Sequence, residues 1–436
     1  MAARVKAAAI TVRNHWKKST CAVVFAGWLY NYSKNRRLDN ALLRAYCETA
    51  LKYGEEVIPT TSKPRRLMVL INPLAKSSKG RFAFEKQVLP LLHLAGLDVT
   101  VITPESVDSF HNMVSVTDSA DTDGLLIVGG DGSVNRAISA LMSDQSSKAK
   151  SKPPIGIVPV GTNSLSYDAI ATKYDNPTTA LCESALNIVR GVTKQLPVIK
   201  IETEYEPDAE DNSSHGKETL FGFLFSQWGR HADLDKLHTK YWYWAGWKRK
   251  FAYFWNTIKS SPKECECAIE YTLHCDGCSR CQAQRTSSPE QKPQRRWWHA
   301  FIGFAKPTEK VPEIDYSKID NPACSMKREI KIKTTDLIVL NDIHSKTTPR
   351  LEIMYDAEPC GRFSFVKEGF RRDNEKDVLG LNSPLHEDKL NVGSVKICFS
   401  EAQKYWKFAF VDGEQCRADC IRITPMKTPL SFYVPS

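Results

Sequence analysis

The stretch Leu125–Ile138, LLIVGGDGSVNRAI, limits what this chain can fold into more than any other. Four apolar residues run into Gly129-Gly130-Asp131-Gly132, and apolar residues then recur at helical spacing. A buried strand that turns through glycines into a helix opens a βα unit, and the backbone N–H groups at its turn can face an anion. Three more strand-like runs share the pattern: Leu67–Ile71, LDVTVIT and PIGIVPVG. RFAFEKQVLPLLHLAG, SFHNMVSVTDSA and NPTTALCESALNIVRG read as the intervening helices. Such alternation requires parallel strands with right-handed crossovers. After Gly191 the pattern changes to short β runs separated by turn residues, from LPVIKIETEY to CIRITPM. The expected fold is α/β plus β: a Rossmann-like N-terminal α/β domain at 61–195 and a C-terminal mostly antiparallel β-sandwich domain at 196–436. The second domain carries a helical insert at 235–260 and a flexible loop at 280–296, where the sequence is polar and Pro-rich.

Charge is unevenly placed. Residues 1–66 hold thirteen Lys and Arg against four acids, so nine of the ten net positive charges lie there. The remaining chain is nearly neutral, which excludes a nucleic-acid groove in its body. No acid precedes Asp39, and five basic residues lead into CAVVFAGWLYNY, Cys21–Tyr32. Basic, acid-free and amphipathic is the composition of a mitochondrial targeting segment, with a secretory signal or a plain amphipathic N-terminal helix as the competing readings. The apolar stretch falls short of the ~20 residues of a membrane span, so residues 1–60 read as a targeting and surface-attachment segment. RRWWHAFIGFAK offers a second membrane-interface stretch, or equally a buried hydrophobic element.

Five of the thirteen cysteines cluster at Cys265, Cys267, Cys275, Cys278 and Cys281. A small zinc knuckle, disulfides in an oxidising compartment and free thiols all fit. Without a paired knuckle of standard spacing, free thiols with no catalytic role rank ahead of metal.

An aspartate at a phosphate-binding turn would repel phosphate, so Asp131 needs a reason. It can organise Mg²⁺, take a proton from an attacking hydroxyl, or simply occupy a β-turn. Two further polar loops follow parallel strands, where α/β sheets bind ligands. INPLAKSSKG supplies Asn72, Lys76, Ser77, Ser78 and Lys79, and PVGTNSLS supplies Gly161, Thr162, Asn163 and Ser164. Far downstream, KFAFVDGEQC places Asp412-Gly413-Glu414 at a strand end, as a second acidic turn or as a plain hairpin.

Taken in order, these motifs resemble the diacylglycerol kinase catalytic family across residues 64–435. RNHWKKST, VLPLLHLAGLDVTVI and SQWGRHADLDKLHTKYWYWAGWKRK extend the likeness to its mitochondrial acylglycerol kinase branch. The resemblance implies an ATP- and Mg²⁺-dependent lipid kinase. It would phosphorylate the hydroxyl of monoacylglycerol and diacylglycerol, with ceramide as a further acceptor, giving lysophosphatidic and phosphatidic acid. It implies attachment to the mitochondrial inner membrane on the intermembrane-space side, and a further role among carrier translocase subunits. It assigns Asn72, Thr103, Gly129, Gly130, Asp131, Gly132, Thr162, Asn163 and Lys248 to the nucleotide. Asp131 would hold Mg²⁺, directly or through water. Asp131 and Glu414 become the catalytic pair, with Asp412 supporting the turn, and Asp233 or Asp235 faces the lipid head group. Arg136 departs from the family, which has an acid there. NAD kinases share Gly-Gly-Asp-Gly, but the aromatic-basic run Tyr241–Lys250 favours a lipid acceptor. A non-catalytic translocase scaffold is the remaining alternative.

Overall fold

The computed structural model describes residues 16–56, 63–72, 77–143, 152–161, 164–205, 216–282, 318–345, 348–386, 389–399, 408–426 and 428–435. The expected flexible loop at 280–296, apart from its first residues, and RRWWHAFIGFAK lie outside them. The chain divides into two compact units. One comprises Met1–Ser133, Ala149–Lys194 and Phe432–Ser436, the other Val134–Lys148 and Gln195–Ser431.

A six-stranded sheet organises the first unit. β1 (Arg66–Ile71) lies between β2 (Asp98–Ile102) and β3 (Gly124–Gly129), parallel to both, and β4 (Ile155–Pro159) runs parallel beyond β3. Every residue of β3 is buried, as expected of a strand covered on both faces. Because the chain goes out to β2 and returns past β1 to β3, the carboxyl ends of β1 and β3 flank a switch point in strand order. The connecting helices follow local signals. Pro177–Arg190 starts where Asn176 Oδ1 accepts the Thr178 N–H and Pro177 occupies the first turn, and it stops at Gly191 with φ 72°. Pro90 lacks an N–H, and the helical run Ser77–Leu94 absorbs it beside a π-helical turn at Phe84–Val88. Leu67, Val69, Phe84, Leu91, Val128, Val158, Leu181 and Ile188 meet in one core.

Helix Trp16–Gly54 runs 39 residues, about 58 Å at 1.5 Å per residue. Its second half packs on this core through Leu43, Tyr46, Ala50 and Tyr53, and the Tyr46 hydroxyl donates to Glu183 Oε1 at 2.7 Å. Its first half leaves Val23, Val24, Phe25, Trp28, Leu29 and Tyr30 exposed. Among the described residues no helix is long and apolar enough to cross a membrane.

The C-terminal strand corrects the sequence-based division. Placed by sequence in the β domain, Leu430–Tyr433 pairs instead with β4 through Phe432 and Ile155. Tyr433 joins the first core, and its hydroxyl donates to the Asp123 carbonyl at 3.0 Å. Four residues carry no pattern that names a partner sheet; burial of Phe432 and Tyr433 selects it.

Eleven largely antiparallel strands form one sheet in the second unit. Strand Gly216–Gly222 ends the strand order, while Phe225–Gly229 is third from the opposite end. Only Phe223 and Leu224 connect them, so the sheet must close over itself into two packed layers. Ile201, Trp228, Val339, Ile353, Ile397, Val411 and Ile423 fill the space between as one core. Cys398 and Cys420, opposite each other on paired strands, form a disulfide.

Asp412 secures the closure. Its buried carboxylate accepts the N–H groups of Phe223, Leu224 and Phe225 at 2.6, 2.9 and 2.9 Å, and Asn135 Nδ2 at 3.2 Å. Asp412 and Gly413 take φ of 46° and 82°, the two left-handed positions of a type I′ turn between Phe408–Val411 and Glu414–Arg417. Asp412→Ala strands three buried amides and an amide side chain. It should cost about 3–5 kcal/mol, read as a lower unfolding temperature and urea midpoint, whereas an unchanged transition would refute the assignment.

Candidate active site

In the first unit, the loops after β1, β3 and β4 build one polar cluster. Asn72 directly follows β1, is buried, and donates through Nδ2 to Ser133 Oγ at 2.8 Å. That bond ties the β1 loop to the glycine turn, since Ser133 directly follows Gly129–Gly132. Helix Asp131–Ser143 begins at the turn, so its free N–H groups and dipole add positive potential there. Asp131 is 8% exposed. Its Oδ2 accepts the Leu165 N–H at 3.1 Å and its Oδ1 the Ser166 N–H at 2.8 Å. Ser164, the natural cap of helix Leu165–Ile170, makes no side-chain cap bond, so Asp131 caps this helix from another element. No local sequence signal announces this second helix start.

The structure therefore brings Asn72, the glycine turn and Asp131 together with Ser164 and Ser166. Thr103 is exposed just beyond β2. Thr162 and Asn163, next to this cluster in sequence, lie outside the described residues, as does Lys76. Among the described residues, the buried hydroxyls of Ser164 and Ser166 have no protein hydrogen-bond partner. Unpartnered hydroxyl oxygens, a carboxylate and a glycine turn are a donor set that suits a hard cation carrying phosphate oxygens.

In the second unit, helix Asp131–Ser143 contributes residues from Val134 onward. Asn135 reaches Asp412, and Arg136 Nη2 pairs with Glu414 Oε2 at 2.9 Å. Both members of that pair are partly exposed, so it adds little stability and chiefly orients Glu414. Arg136, noted in the sequence only as a departure from the family, is thus the partner of the candidate base.

Asp233 and Lys248 sit on a helical layer of the same unit. It comprises Arg230–Leu237, the 3₁₀ stretch His238–Trp247, Lys248–Lys259 and Arg362–Asn374. Asp233 lies 3.9 Å from Arg230, Lys248 opens its helix, and the Asp235 side chain lies outside what is described. Leu234, Tyr253 and Phe365 form the layer's own small core. His231 stacks on Phe365 and bonds the Tyr253 hydroxyl at 3.1 Å; burial holds its imidazole down to about 3, so it is neutral. Beneath, the buried Arg372 bridges Asp336 and Glu368 at 2.9 Å each. Burial raises Glu368, but hydrogen bonds from Arg371 and Arg372 outweigh it and bring the carboxyl to about 2. This anchored base presents an exposed aromatic face. Trp242 is 78% and Trp247 66% exposed, Trp244, Phe251 and Trp255 stack in succession, and Lys250 and Lys259 lie over Trp247 and Trp255.

The diacylglycerol kinase catalytic domain matches residues 66–201, the stretch that supplies Asn72, Asp131 and Ser166. That stretch is similar to the family's catalytic domain. It is 32% identical to the mitochondrial acylglycerol kinase of Homo sapiens over 60% of this chain and 59% of that one. With the acylglycerol kinase of Pongo abelii it shares 31% over 66% and 63%. The match thus spans less than two thirds of these relatives' own length. An uncharacterized protein of Caenorhabditis elegans is 28% identical over 84% of this chain and 80% of its own. Within the family domain, the cap made by Asp131 gives a direct test. Asp131→Ala should speed hydrogen exchange at the Leu165 and Ser166 amides about fivefold, for a cap worth about 1 kcal/mol. Unchanged exchange would remove Asp131 from that role.

Proposed function

We propose that this protein is an ATP-dependent lipid kinase that phosphorylates the free hydroxyl of monoacylglycerol and diacylglycerol, with ceramide as a further acceptor. The carrying observation is the family's catalytic domain, whose glycine turn, Asp131 and unpartnered serine hydroxyls stand at the strand ends. The aromatic face beside Lys250 and Lys259 supports a lipid acceptor, because tryptophan rings and lysines together suit a membrane interface. Phosphoryl transfer needs alignment and neutralised oxygen charge more than covalent help. In this reading Asn72, Thr103, Gly129–Gly132, Thr162, Asn163 and Lys248 hold the nucleotide. Asp131 holds Mg²⁺, which when bound offsets charge on the phosphate oxygens. Glu414, oriented by Arg136, accepts the hydroxyl proton, and Asp233 or Asp235 meets the head group.

Location is part of the proposal. The acid-free basic segment and the exposed Val23–Tyr30 face favour attachment to the mitochondrial inner membrane on the intermembrane-space side. A part among carrier translocase subunits rests on the family resemblance alone.

Purified protein given radiolabelled ATP should label monoacylglycerol and diacylglycerol, while labelled NADP or no lipid product would overturn the reading. Asp131→Asn, which keeps one acceptor for the helix cap, should lower turnover about 100-fold or more. Glu414→Gln should lower kcat and leave ATP binding nearly intact; full activity in that variant removes it as the base. A double Trp242→Ala, Trp247→Ala variant should lose several-fold in sedimentation with anionic vesicles and in activity on vesicle-borne substrate. A micellar short-chain substrate should be turned over as before, and equal loss on both substrates would argue against a membrane-docking role.

A further inference from the structure

Among the described residues, one group of side chains outside the kinase machinery is arranged to hold a metal. The sulfurs of Cys275, Cys278, Cys281 and Cys324 all lie within 4.8 Å of one another. Cys278 and Cys281 are 3.7 Å apart and Cys281 and Cys275 3.9 Å. Four thiolates bound to zinc at ~2.3 Å occupy tetrahedron corners ~3.8 Å apart. A disulfide would need ~2.05 Å, and all four are free thiols here.

The fold brings the fourth ligand in. Strands Cys265–Leu273 and Lys327–Thr334 are antiparallel, and Thr272 opposite Lys327 is their last pair. Cys275 comes three residues after Thr272 and Cys324 three residues before Lys327, so register alone sets them at the same end. The Ser279 N–H donates to the Ile319 carbonyl at 3.0 Å, joining the two segments again. Sulfur-directed donors are already in place: the Cys278 N–H reaches Cys281 Sγ at 3.1 Å and Asn321 Nδ2 reaches Cys275 Sγ at 3.4 Å. Such bonds stabilise the negative charge of metal thiolates. Cys278 and Cys324 are buried, and His274, next to Cys275 in sequence, is engaged by Thr348 Oγ1 at 2.8 Å.

We propose that Cys275, Cys278, Cys281 and Cys324 form a structural zinc site. Four protein thiolates leave no open position, so the ion stabilises the fold and takes no part in phosphoryl transfer. Each thiol releases its proton to solvent on binding, and nothing is oxidised or reduced. The site clamps the two ends of the chain between Cys281 and Cys324, so this long segment emerges from a fixed base.

Full-length protein purified under reducing conditions without chelator should contain about one zinc per chain by elemental analysis. Cys278→Ser and Cys324→Ser should each bring this to near zero, while Cys21→Ser, on the exposed N-terminal helix, should not. Cobalt exchanged into the wild-type protein should give the intense visible bands of a tetrahedral tetrathiolate, which decides the matter even if the serine variants fail to fold. Chelation should make four more thiols reactive. Folded protein with no zinc and no cobalt bands, an intact mass showing these cysteines paired as disulfides, or iron in place of zinc would each overturn the proposal.

Discussion

The carboxylate of Asp412 collects four hydrogen bonds in a buried setting, and much of the second unit depends on it. A sheet that closes over itself needs one connection to jump between strands far apart in its order. Here that connection is Phe223-Leu224, and its two amides together with that of Phe225 meet one carboxylate, so a costly set of buried donors becomes a satisfied one. The same residue turns the hairpin that carries Glu414, so closure of the sheet and placement of the candidate base share one cause. Asn135 adds the helix Asp131–Ser143, whose next residue, Arg136, orients Glu414.

Asp131 works similarly in the first unit. A carboxylate beside a phosphate-binding turn invites a purely chemical account, yet the structure gives it a mechanical task as well. It caps helix Leu165–Ile170 and so joins the β3 turn to the β4 loop. A lost carboxylate would disturb both loops, which is why a conservative amide is the informative replacement. Among the described residues, the hydroxyls of Ser164 and Ser166 beside it meet no protein partner.

The helical layer under Trp242 and Trp247 follows a different logic. Arg372, Asp336 and Glu368 are paired almost wholly out of water, an arrangement that fixes geometry more than it adds stability. Above it, Gly369 is needed because an added Cβ would meet the Tyr253 ring at 2.2 Å. The aromatic face is thereby held on a rigid base while its rings stay exposed.

The sequence by itself determined the parts written in local pattern. The strand–turn–helix periodicity gave the parallel sheet, because helical and strand spacing are set by neighbouring residues. The same holds for the Asp412-Gly413 hairpin, since left-handed backbone positions favour few residue types. Tertiary structure decided what depends on partners remote in the chain. Leu430–Tyr433 joined the first sheet, Asp131 found a helix 34 residues on, and Arg136 found Glu414 across 278. The cysteine cluster shows the limit most plainly. Three of its members stand in one short run, and the spacing alone ranked them as free thiols. The fourth, Cys324, is brought beside them by strand register, which no count of intervening residues can reveal.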